Sequence, residues 1–218
     1  MAYSKGLVYL AGPAYISEEA HALEVIAGRL IRKGWEVYIP ATQGLEPHFL
    51  ALAAAPPDGG LQRFREVLEK AAFAMEIFQV VERCDALVFN MNGRVPDEGG
   101  VFKTAVAFAA GKPLILYKRD HRSKLHGNDN AMIPGLSYSF SNVRKAKKIP
   151  GKLEQALRKS EGFAGRPYAG DAVPPFVRHI TDQGRQVWEV LQRFVERAGA
   201  REPSALEALY EELSRIFA

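Results

Sequence analysis

Residues 6–40 read GLVYLAGPAYISEEAHALEVIAGRLIRKGWEVYIP, and this stretch decides the fold class. Its opening GLVYLAG is a short apolar run ended by Gly-Pro, which is typical of a buried strand. Ser17 then offers a helix cap, and apolar residues follow at helical spacing until Gly34, which ends the helix. WEVYIP, at 35–40, predicts a second strand. A strand, a helix and a strand in this order form a βαβ unit, so the stretch predicts a parallel sheet.

Three later segments extend the predicted sheet. They are short, apolar and bounded by polar or glycine-containing loops. Their sequences are DALVFNMNG (85–93), KPLILYKR (112–119) and, as the candidate fifth strand, LSYSF (136–140). Between Leu61 and Phe78, apolar residues recur at steps of three and four, which predicts a long amphipathic helix. The whole pattern predicts an α/β fold.

A segment rich in glycine and proline divides the chain. Residues 160–175 read SEGFAGRPYAGDAVPP, a composition typical of a linker. The predicted α/β domain precedes it at 1–159. The residues after it, 176–218, predict a C-terminal helical extension, whose second helix opens with a capping box at Ser204 and Glu207.

The composition is that of an ordinary globular protein. The chain has 218 residues, 47% of them hydrophobic, and a formal net charge of +4. This modest excess favours anionic small molecules but is too weak to indicate a nucleic acid polymer. No apolar run approaches the roughly 20 residues that span a bilayer, and a single cysteine suits a reducing compartment. We therefore expect a cytoplasmic protein with no membrane partner. The one basic cluster, RKAKK at 144–148, is interpreted as a solvated loop edge.

Common catalytic and cofactor motifs do not occur in the sequence. It has no phosphate-binding loop, dinucleotide fingerprint, zinc-protease helix, Cys-x-x-Cys pair or serine-hydrolase elbow. The five histidines show no metal-ligand spacing. We therefore predict neither a metal nor a cofactor.

The remaining candidates follow the predicted strands. Parallel α/β proteins bind ligands beyond the carboxyl ends of their strands, near a switch point of the topology. Three segments leave strands at that edge, namely Ala11-Gly12-Pro13, Asn92 through Gly100, and the loop 120–135. Each is small or polar where the core pattern gives no reason for it, so this edge is the predicted binding site.

The fragment DEGGVFK, at 97–103, opens the helix after the third strand. Gly99 and Gly100 would expose backbone N–H groups at the helix N-terminus, which suits anionic or strongly polar ligand oxygens. Asp97 is either only the helix N-cap or a hydrogen-bond partner of a base or a sugar hydroxyl. By themselves these residues predict a pocket for a polar small molecule.

Taken together, three segments resemble the nucleoside 2-deoxyribosyltransferase family over about residues 6–155. They are VYLAGP near the N-terminus, CDALVFNMNGRVPDEGGVFKTAVAFAAGKP at 84–113 and DNAMI at 129–133. The resemblance implies a flavodoxin-like sheet of five parallel strands with helices on both faces. It also implies a homo-oligomer with shared sites, and a nucleoside or nucleotide as the small-molecule partner.

The resemblance further implies cleavage of an N-glycosidic bond. In that chemistry a glutamate attacks the anomeric carbon, and an aspartate helps to protonate the departing base. Asp97 matches the aspartate of the family. Tyr9 and Gly12 match its first loop. Asn130 and Met132 match its Asn-x-Met pair, which in the family reaches a neighbouring subunit's site.

The family's nucleophile does not carry over. Six residues after Asp97 the family has glutamate, whereas this sequence has Lys103. On the preceding helix, the position of the usual acid or amide is Ile77, with Glu76 adjacent. An ammonium cannot replace a carboxylate nucleophile, and it repels a developing oxocarbenium ion. Three interpretations stay open: Glu98 or Glu76 replaces the carboxylate, Lys103 binds a substrate phosphate, or the protein keeps a ligand pocket and has lost catalysis.

We predict transfer or hydrolysis at the N-glycosidic bond of a (deoxy)nucleoside or nucleotide. The alternative is a non-catalytic nucleotide-binding or regulatory protein. The candidate catalytic residues are Asp97, Glu98 and Glu76. The candidate substrate-binding residues are Tyr9, Gly12, Pro13, Asn92, Gly99, Gly100, Lys103, Asn130 and Met132.

Overall fold

The chain falls into two compact units in a computed structural model. The structure describes residues 4–48, 61–93, 97–119, 132–137, 142–162, 174–196 and 203–218, without the side chains of 61–63, 161–162 and 203–204. The first unit comprises Met1–Ile39 and Val80–Ala172, and the second comprises Pro40–Gln79 and Val173–Ala218. The predicted domain boundaries at 159 and 175 stay a prediction. The pairing of residues 40–79 with the C-terminal helices is not indicated by their order in the sequence.

The regular elements follow the predicted order. The strands are β1 Leu7–Ala11, β2 Glu36–Tyr38, β3 Ala86–Asn90 and β4 Leu114–Tyr117. The helices are α1 Ser17–Ile31, α2 Pro40–Gln43, α3 Leu61–Phe78, α4 Glu98–Ala109, α5 Ile149–Gly162, α6 Pro175–Glu196 and α7 Pro203–Ile216. A π-helical turn, Gln79–Arg83, follows α3, and 3₁₀ turns span Pro134–Leu136 and Ala146–Lys148. None of the described helices is both long and apolar enough to cross a membrane.

The first unit contains a parallel sheet, which confirms the predicted fold class. The strand order is β2-β1-β3-β4, and every pair is parallel. The prediction of five strands is wrong in number, because the sheet of the described residues has four. Leu136 lies in a 3₁₀ turn, and residues 138–140 of the predicted fifth strand lie outside the described part of the chain. Val143 forms an isolated parallel bridge with Tyr117 at this edge.

Helices cover both faces of the sheet. Successive side chains of a strand point to opposite faces, so Val8 and Leu10 face one way and Tyr9 the other. The face of Val8 and Leu10 packs against α1 and α5 in one buried cluster. On the opposite face, α4 approaches so closely that a Cβ at Gly100 would lie 2.3 Å from Cε2 of Phe89. The carboxyl ends of β1, β3 and β4 therefore open next to the start of α4.

The second unit is a helical core. α3, α6 and α7 bury one apolar cluster that includes Leu68, Met75, Leu191 and Leu213. α3 and α6 pack at very short range, since a Cβ at Gly184 would lie 2.0 Å from the carbonyl oxygen of Ala74. The amphipathic pattern predicted for Leu61–Phe78 is therefore a core face of this unit.

Candidate functional site

The loop after β1 passes close to the end of β3. Gly12 has a φ of +154°, and a Cβ there would lie 2.9 Å from Cβ of Asn90 and 3.1 Å from Cδ2 of Leu23. A larger residue at this position would push the loop away from β3. Pro13, the next residue, is buried. Both residues, predicted as substrate-binding, therefore shape the floor of the sheet edge, and their contact with a ligand stays a prediction.

Tyr9 supplies an aromatic wall beneath this edge. It is fully buried in β1, and its ring centroid lies 5.4 Å from that of Tyr38 on β2 in a tilted arrangement. The direction of its side chain toward α4 follows from the alternation of the strand. The face of the sheet that carries Tyr9 is therefore the face on which the helix with the Asp-Glu-Gly-Gly fragment begins.

Asn92 ties two loops of the edge together. Asn90 Oδ1 accepts hydrogen bonds from the backbone N of Asn92 at 3.2 Å and from its Nδ2 at 2.6 Å. Asn92 Oδ1 in turn accepts one from the backbone N of Arg119 at 2.7 Å. Asn92 also lines an open cavity of about 530 Å³, together with Tyr117 and Arg119. The amide of Asn92 therefore holds the loop after β3 to the loop after β4, which is a structural role. Its role in binding substrate stays a prediction.

Asp97 caps the helix that starts the site. It has extended backbone angles, and its Oδ2 accepts a hydrogen bond from the backbone N of Gly100 at 2.6 Å. Its Oδ1 accepts a hydrogen bond from the hydroxyl of Tyr15 at 3.3 Å, which is long for such a pair. One carboxylate oxygen is thus committed to the helix, and the other is held more weakly at the surface.

The two glycines of the fragment have different environments. Gly100 is buried, and a Cβ there would collide with Phe89 and lie 2.8 Å from Oδ2 of Asp97. A Cβ at the exposed Gly99 would meet nothing closer than Oδ2 of Asp97 at 3.7 Å. Gly100 is therefore required for packing. Gly99 lies in the first helical turn, where backbone N–H groups have no partner within the helix and can bind a ligand.

Lys103 points into the site and not away from it. Its Nζ lies 5.6 Å from the ring centroid of Tyr9 and 3.9 Å from the place of a Cβ on Gly99. The side chain is half-buried and lies one turn after Gly99, and helical side chains lean toward the N-terminus. Its charge therefore adds to the positive end of the helix dipole near Gly99.

The other predicted residues are placed less centrally. Glu98 is exposed in the first turn of α4. Glu76 is half-buried on α3 and belongs to the second unit. Met132 is 75% exposed, and Asn130 lies outside the described residues. Their roles stay predictions.

Tyr15 is a residue that the sequence reasoning missed. It is 84% exposed in the loop between β1 and α1, and its hydroxyl reaches Asp97 on the other loop of the edge. An aromatic hydroxyl in a loop that leaves the carboxyl end of a strand is the signal that could have found it.

The site combines groups suited to a polar, anionic ligand. The structure brings together the buried ring of Tyr9, the carboxylate of Asp97, the backbone of Gly99 and the ammonium of Lys103. Within the described residues, no group of three or more His, Cys, Asp or Glu side chains is placed to hold a metal ion. Such an arrangement can hold a negative group against Lys103. The fully buried ring of Tyr9 lies next to that ammonium, 5.6 Å from ring centroid to Nζ, and so supports it without being exposed itself.

A family model and a solved structure are similar to this chain. A family model described as nucleoside 2-deoxyribosyltransferase matches residues 8–136, more than half of the chain. A crystal structure of a conserved protein from Enterococcus faecalis V583 is similar at 16% identity with a TM-score of 0.46, covering 68% of this chain and 97% of that one. No curated protein matches the sequence.

Proposed function

The chain belongs to the nucleoside 2-deoxyribosyltransferase family, and from this premise we propose that it transfers or hydrolyses at the N-glycosidic bond of a (deoxy)nucleoside or nucleotide. Family membership supports a transferase-like function on nucleosides. The observation that supports the finer proposal is that Asp97 is the N-cap of α4 and Lys103 lies in its second turn, with its ammonium near the ring of Tyr9.

Asp97 has the role of the acid that protonates the departing base. Its Oδ2 is held by the backbone N–H of Gly100, which fixes the direction of the carboxyl group. Among the described residues its Oδ1 accepts only the long bond from Tyr15, so a base nitrogen can compete for this oxygen. A positioned carboxyl group contributes to such a reaction by moving a proton while the bond breaks.

Lys103 has the role of a phosphate-binding residue. It stands where the family resemblance implies a glutamate, and its ammonium lies beside the first turn of α4. A phosphate oxygen at this place would accept hydrogen bonds from both the ammonium and the backbone N–H groups of the helix N-terminus. This supports a nucleotide over a nucleoside as the substrate.

The carboxylate that attacks the sugar must then come from another position. Glu98 is the candidate on the same helix turn as Asp97, and it is exposed to solvent. Glu76 is the second candidate from the sequence. An attacking carboxylate would form a glycosyl–enzyme bond as the bond to the base breaks, and a second base or water would then release the sugar.

Base release tests the proposal directly. Deoxynucleosides and their 5′-monophosphates are incubated with the protein, with and without an acceptor base, and free base is measured by liquid chromatography. We expect release from the monophosphates, loss of release in Asp97→Asn, and loss in Glu98→Ala if this residue is the nucleophile. Release that survives both Glu98→Ala and Glu76→Ala would refute the relocated carboxylate.

The role of Lys103 has a separate test with a matched control. Lys103→Met should weaken binding of monophosphates by roughly tenfold or more, the value of a charge-assisted hydrogen bond, and keep nucleoside binding. Lys147→Met, at an exposed lysine of the same unit, should change neither. Equal loss for nucleosides and nucleotides in Lys103→Met would refute the phosphate role.

A non-catalytic nucleotide-binding protein is the second candidate function. The specific observation in its favour is that a cation occupies the position of the family's nucleophile and points into the site. Binding of monophosphates without base release from any of them would establish it. Lys103→Glu separates the two cases further, because it restores the residue type of the family, and transfer that appears only in this variant would mean that the native protein is a binder.

We also propose a homo-oligomer. Met132, whose family counterpart reaches a neighbouring subunit's site, is 75% exposed and so accessible to a second copy. Light scattering coupled to size-exclusion chromatography measures this directly. A monomer at all concentrations would contradict the proposal.

A further inference from the structure

A second cavity lies beside the edge strand of the sheet. It has a volume of about 320 Å³ and lies between β4, the segment around Val143 and the helix α5. Its apolar floor includes Leu114, Leu116 and Ala156, all of which are buried. Five cationic side chains surround this floor, and the lining contains no aspartate or glutamate. They are Arg144, Lys145, Lys148, Lys152 and Lys159.

The fold itself gathers these cations. Lys148, Lys152 and Lys159 are separated by four and seven residues, so they lie on one face of α5 and the turn before it. The neighbouring face of the helix, about 100° around its axis, carries Ile149 and Leu153, which are buried in the core of the first unit. The buried face therefore fixes the direction of the lysines. The basic run at 144–148 has exposed cations, as expected for a solvated loop edge. Three of its four cations, Arg144, Lys145 and Lys148, also line this cavity.

The five cations have no counter-charge among the residues that the structure describes. In the described part of the chain, none of the five cations has an ion-pair partner. A sphere of the cavity's volume is about 8 Å across, similar to the screening length of about 8 Å at physiological ionic strength. Cations on facing walls therefore repel one another, and an anion between them would relieve this repulsion.

The edge of β4 forms one wall of the same hollow. Val143 N donates a hydrogen bond to the carbonyl of Leu116 at 2.7 Å, and Lys118 N donates one to the carbonyl of Val143 at 3.0 Å. The N–H and C=O of one strand residue point to the same side, so the N–H of Leu116 also faces this edge.

We propose that this cavity binds a small polyanion with two or more phosphate groups. Five cations without an ion-pair partner in the described part of the chain surround one hollow, and their charge exceeds what a single carboxylate or phosphate would neutralise. A volume of about 320 Å³ lies at the lower end of the range of small-molecule sites, roughly 300–1,000 Å³. The lining shares no residue with the group around Asp97 and Lys103. The site therefore does not depend on the proposed reaction.

Calorimetric titration at low and at physiological salt tests this site. The probes are inorganic phosphate, pyrophosphate and tripolyphosphate. A nucleoside triphosphate is titrated as well, to measure whether a nucleoside adds to the affinity. We expect affinity to rise with the number of phosphates and to fall with added salt. Each lysine removed should weaken tripolyphosphate binding about fivefold, the effect of one water-screened contact between unit charges about 4 Å apart.

The variants decide between a built site and diffuse charge. The double variant Lys148→Gln, Lys152→Gln should bind tripolyphosphate at least roughly twentyfold more weakly, from two such contacts. Lys147→Gln removes the same charge from the same basic run but does not line the cavity, and it should bind like the parent. If the double variant does not fold, as judged by circular dichroism, Lys148→Gln alone is measured.

Four results would overturn the proposal. The first is the absence of tripolyphosphate binding at low salt. The second is equal weakening by Lys147→Gln and Lys148→Gln, which would mean that only the overall charge matters. The third is loss of binding in Lys103→Met with no loss in the double lysine variant, which would place the phosphates at the other site. An acidic peptide that binds in competition with tripolyphosphate and more tightly than it would show that the edge takes a macromolecule instead.

Discussion

Replacing Asp97 by alanine and by asparagine separates its role as a helix cap from its role in chemistry. Alanine removes the acceptor of the 2.6 Å hydrogen bond from Gly100 N and also removes the negative charge at the start of α4. Asparagine keeps a side-chain oxygen that can accept the same bond and removes only the charge. Both variants therefore lack the carboxylate, but only the asparagine variant keeps the capping hydrogen bond.

The magnitudes follow from these two contributions. An N-cap residue replaced by alanine costs about 1 kcal/mol, and a charge near a helix N-terminus contributes about 0.3–1 kcal/mol. We expect Asp97→Ala to lower the free energy of unfolding by about 1–2 kcal/mol, and Asp97→Asn by about 0.5 kcal/mol. For a chain of this size, 1 kcal/mol corresponds to about 2–4 °C in the melting temperature.

The assay must report the unit that contains the sheet, because chains of two units do not generally unfold in one step. The sequence has two tryptophans. Trp35 is buried in the first unit, and Trp188 packs against the core of the second. In a Trp188→Phe background, fluorescence of Trp35 during urea unfolding reports the first unit alone.

Two outcomes would refute the reasoning about Asp97. If the alanine variant unfolds at the same urea concentration as its parent, the cap bond does not stabilise α4. If asparagine and alanine lose equal stability, the charge and not the bond is responsible. An asparagine variant that keeps its stability but releases no base would show that the carboxylate has a chemical role as well.

Two further changes test the packing and the electrostatics. Gly184→Ala should destabilise the second unit by about 3 kcal/mol or more in urea unfolding, because its Cβ would lie 2.0 Å from the carbonyl oxygen of Ala74. In the control Gly151→Ala the new Cβ has nothing within 4 Å, so this variant should be neutral or stabilising. Equal effects of the two variants would disprove the packing explanation. Burial lowers the pKa of Lys112, whose Nζ donates to the carbonyl of Cys84 at 2.8 Å. Just below pH 10.5 the unfolded chain therefore holds more protons than the folded chain, so the free energy of unfolding increases as pH rises through this range. Lys112→Met should flatten this increase in unfolding curves taken at several pH values. An unchanged slope would show that the ammonium is not desolvated.

The sheet was predictable because its signals are local. GLVYLAG and DALVFN are continuous apolar runs, and the helix between the first two strands has apolar residues at helical spacing. The number of strands was harder to predict, because an edge strand has a partner on one side only and its propensity decides little. Within the described residues, Pro134 and Gly135 start a 3₁₀ turn that includes Leu136, and Val143 forms a bridge to β4.

The limits of prediction at the site have the same physical origin. Asp97, Gly99 and Lys103 could be found from chain order, because carboxyl ends of parallel strands share one edge. The need for a glycine at position 100 could not be predicted in this way, because it depends on how closely α4 approaches Phe89 of the sheet. The pairing of α3 with the C-terminal helices likewise depends on contacts between residues far apart in sequence.

The charge at position 103 links the chemistry of the site to its choice of ligand. Any side chain there reaches back toward the N-terminus of α4, where the helix carries a positive partial charge of roughly half a unit. A glutamate would be stabilised by this field and could attract an oxocarbenium ion, whereas Lys103 adds a second positive charge and opposes that ion. A substrate phosphate at Lys103 would neutralise the ammonium and so remove the opposition. In the proposed reaction a phosphate group on the substrate would therefore act twice, in binding and in lowering the barrier, and the reaction would favour nucleotides over nucleosides.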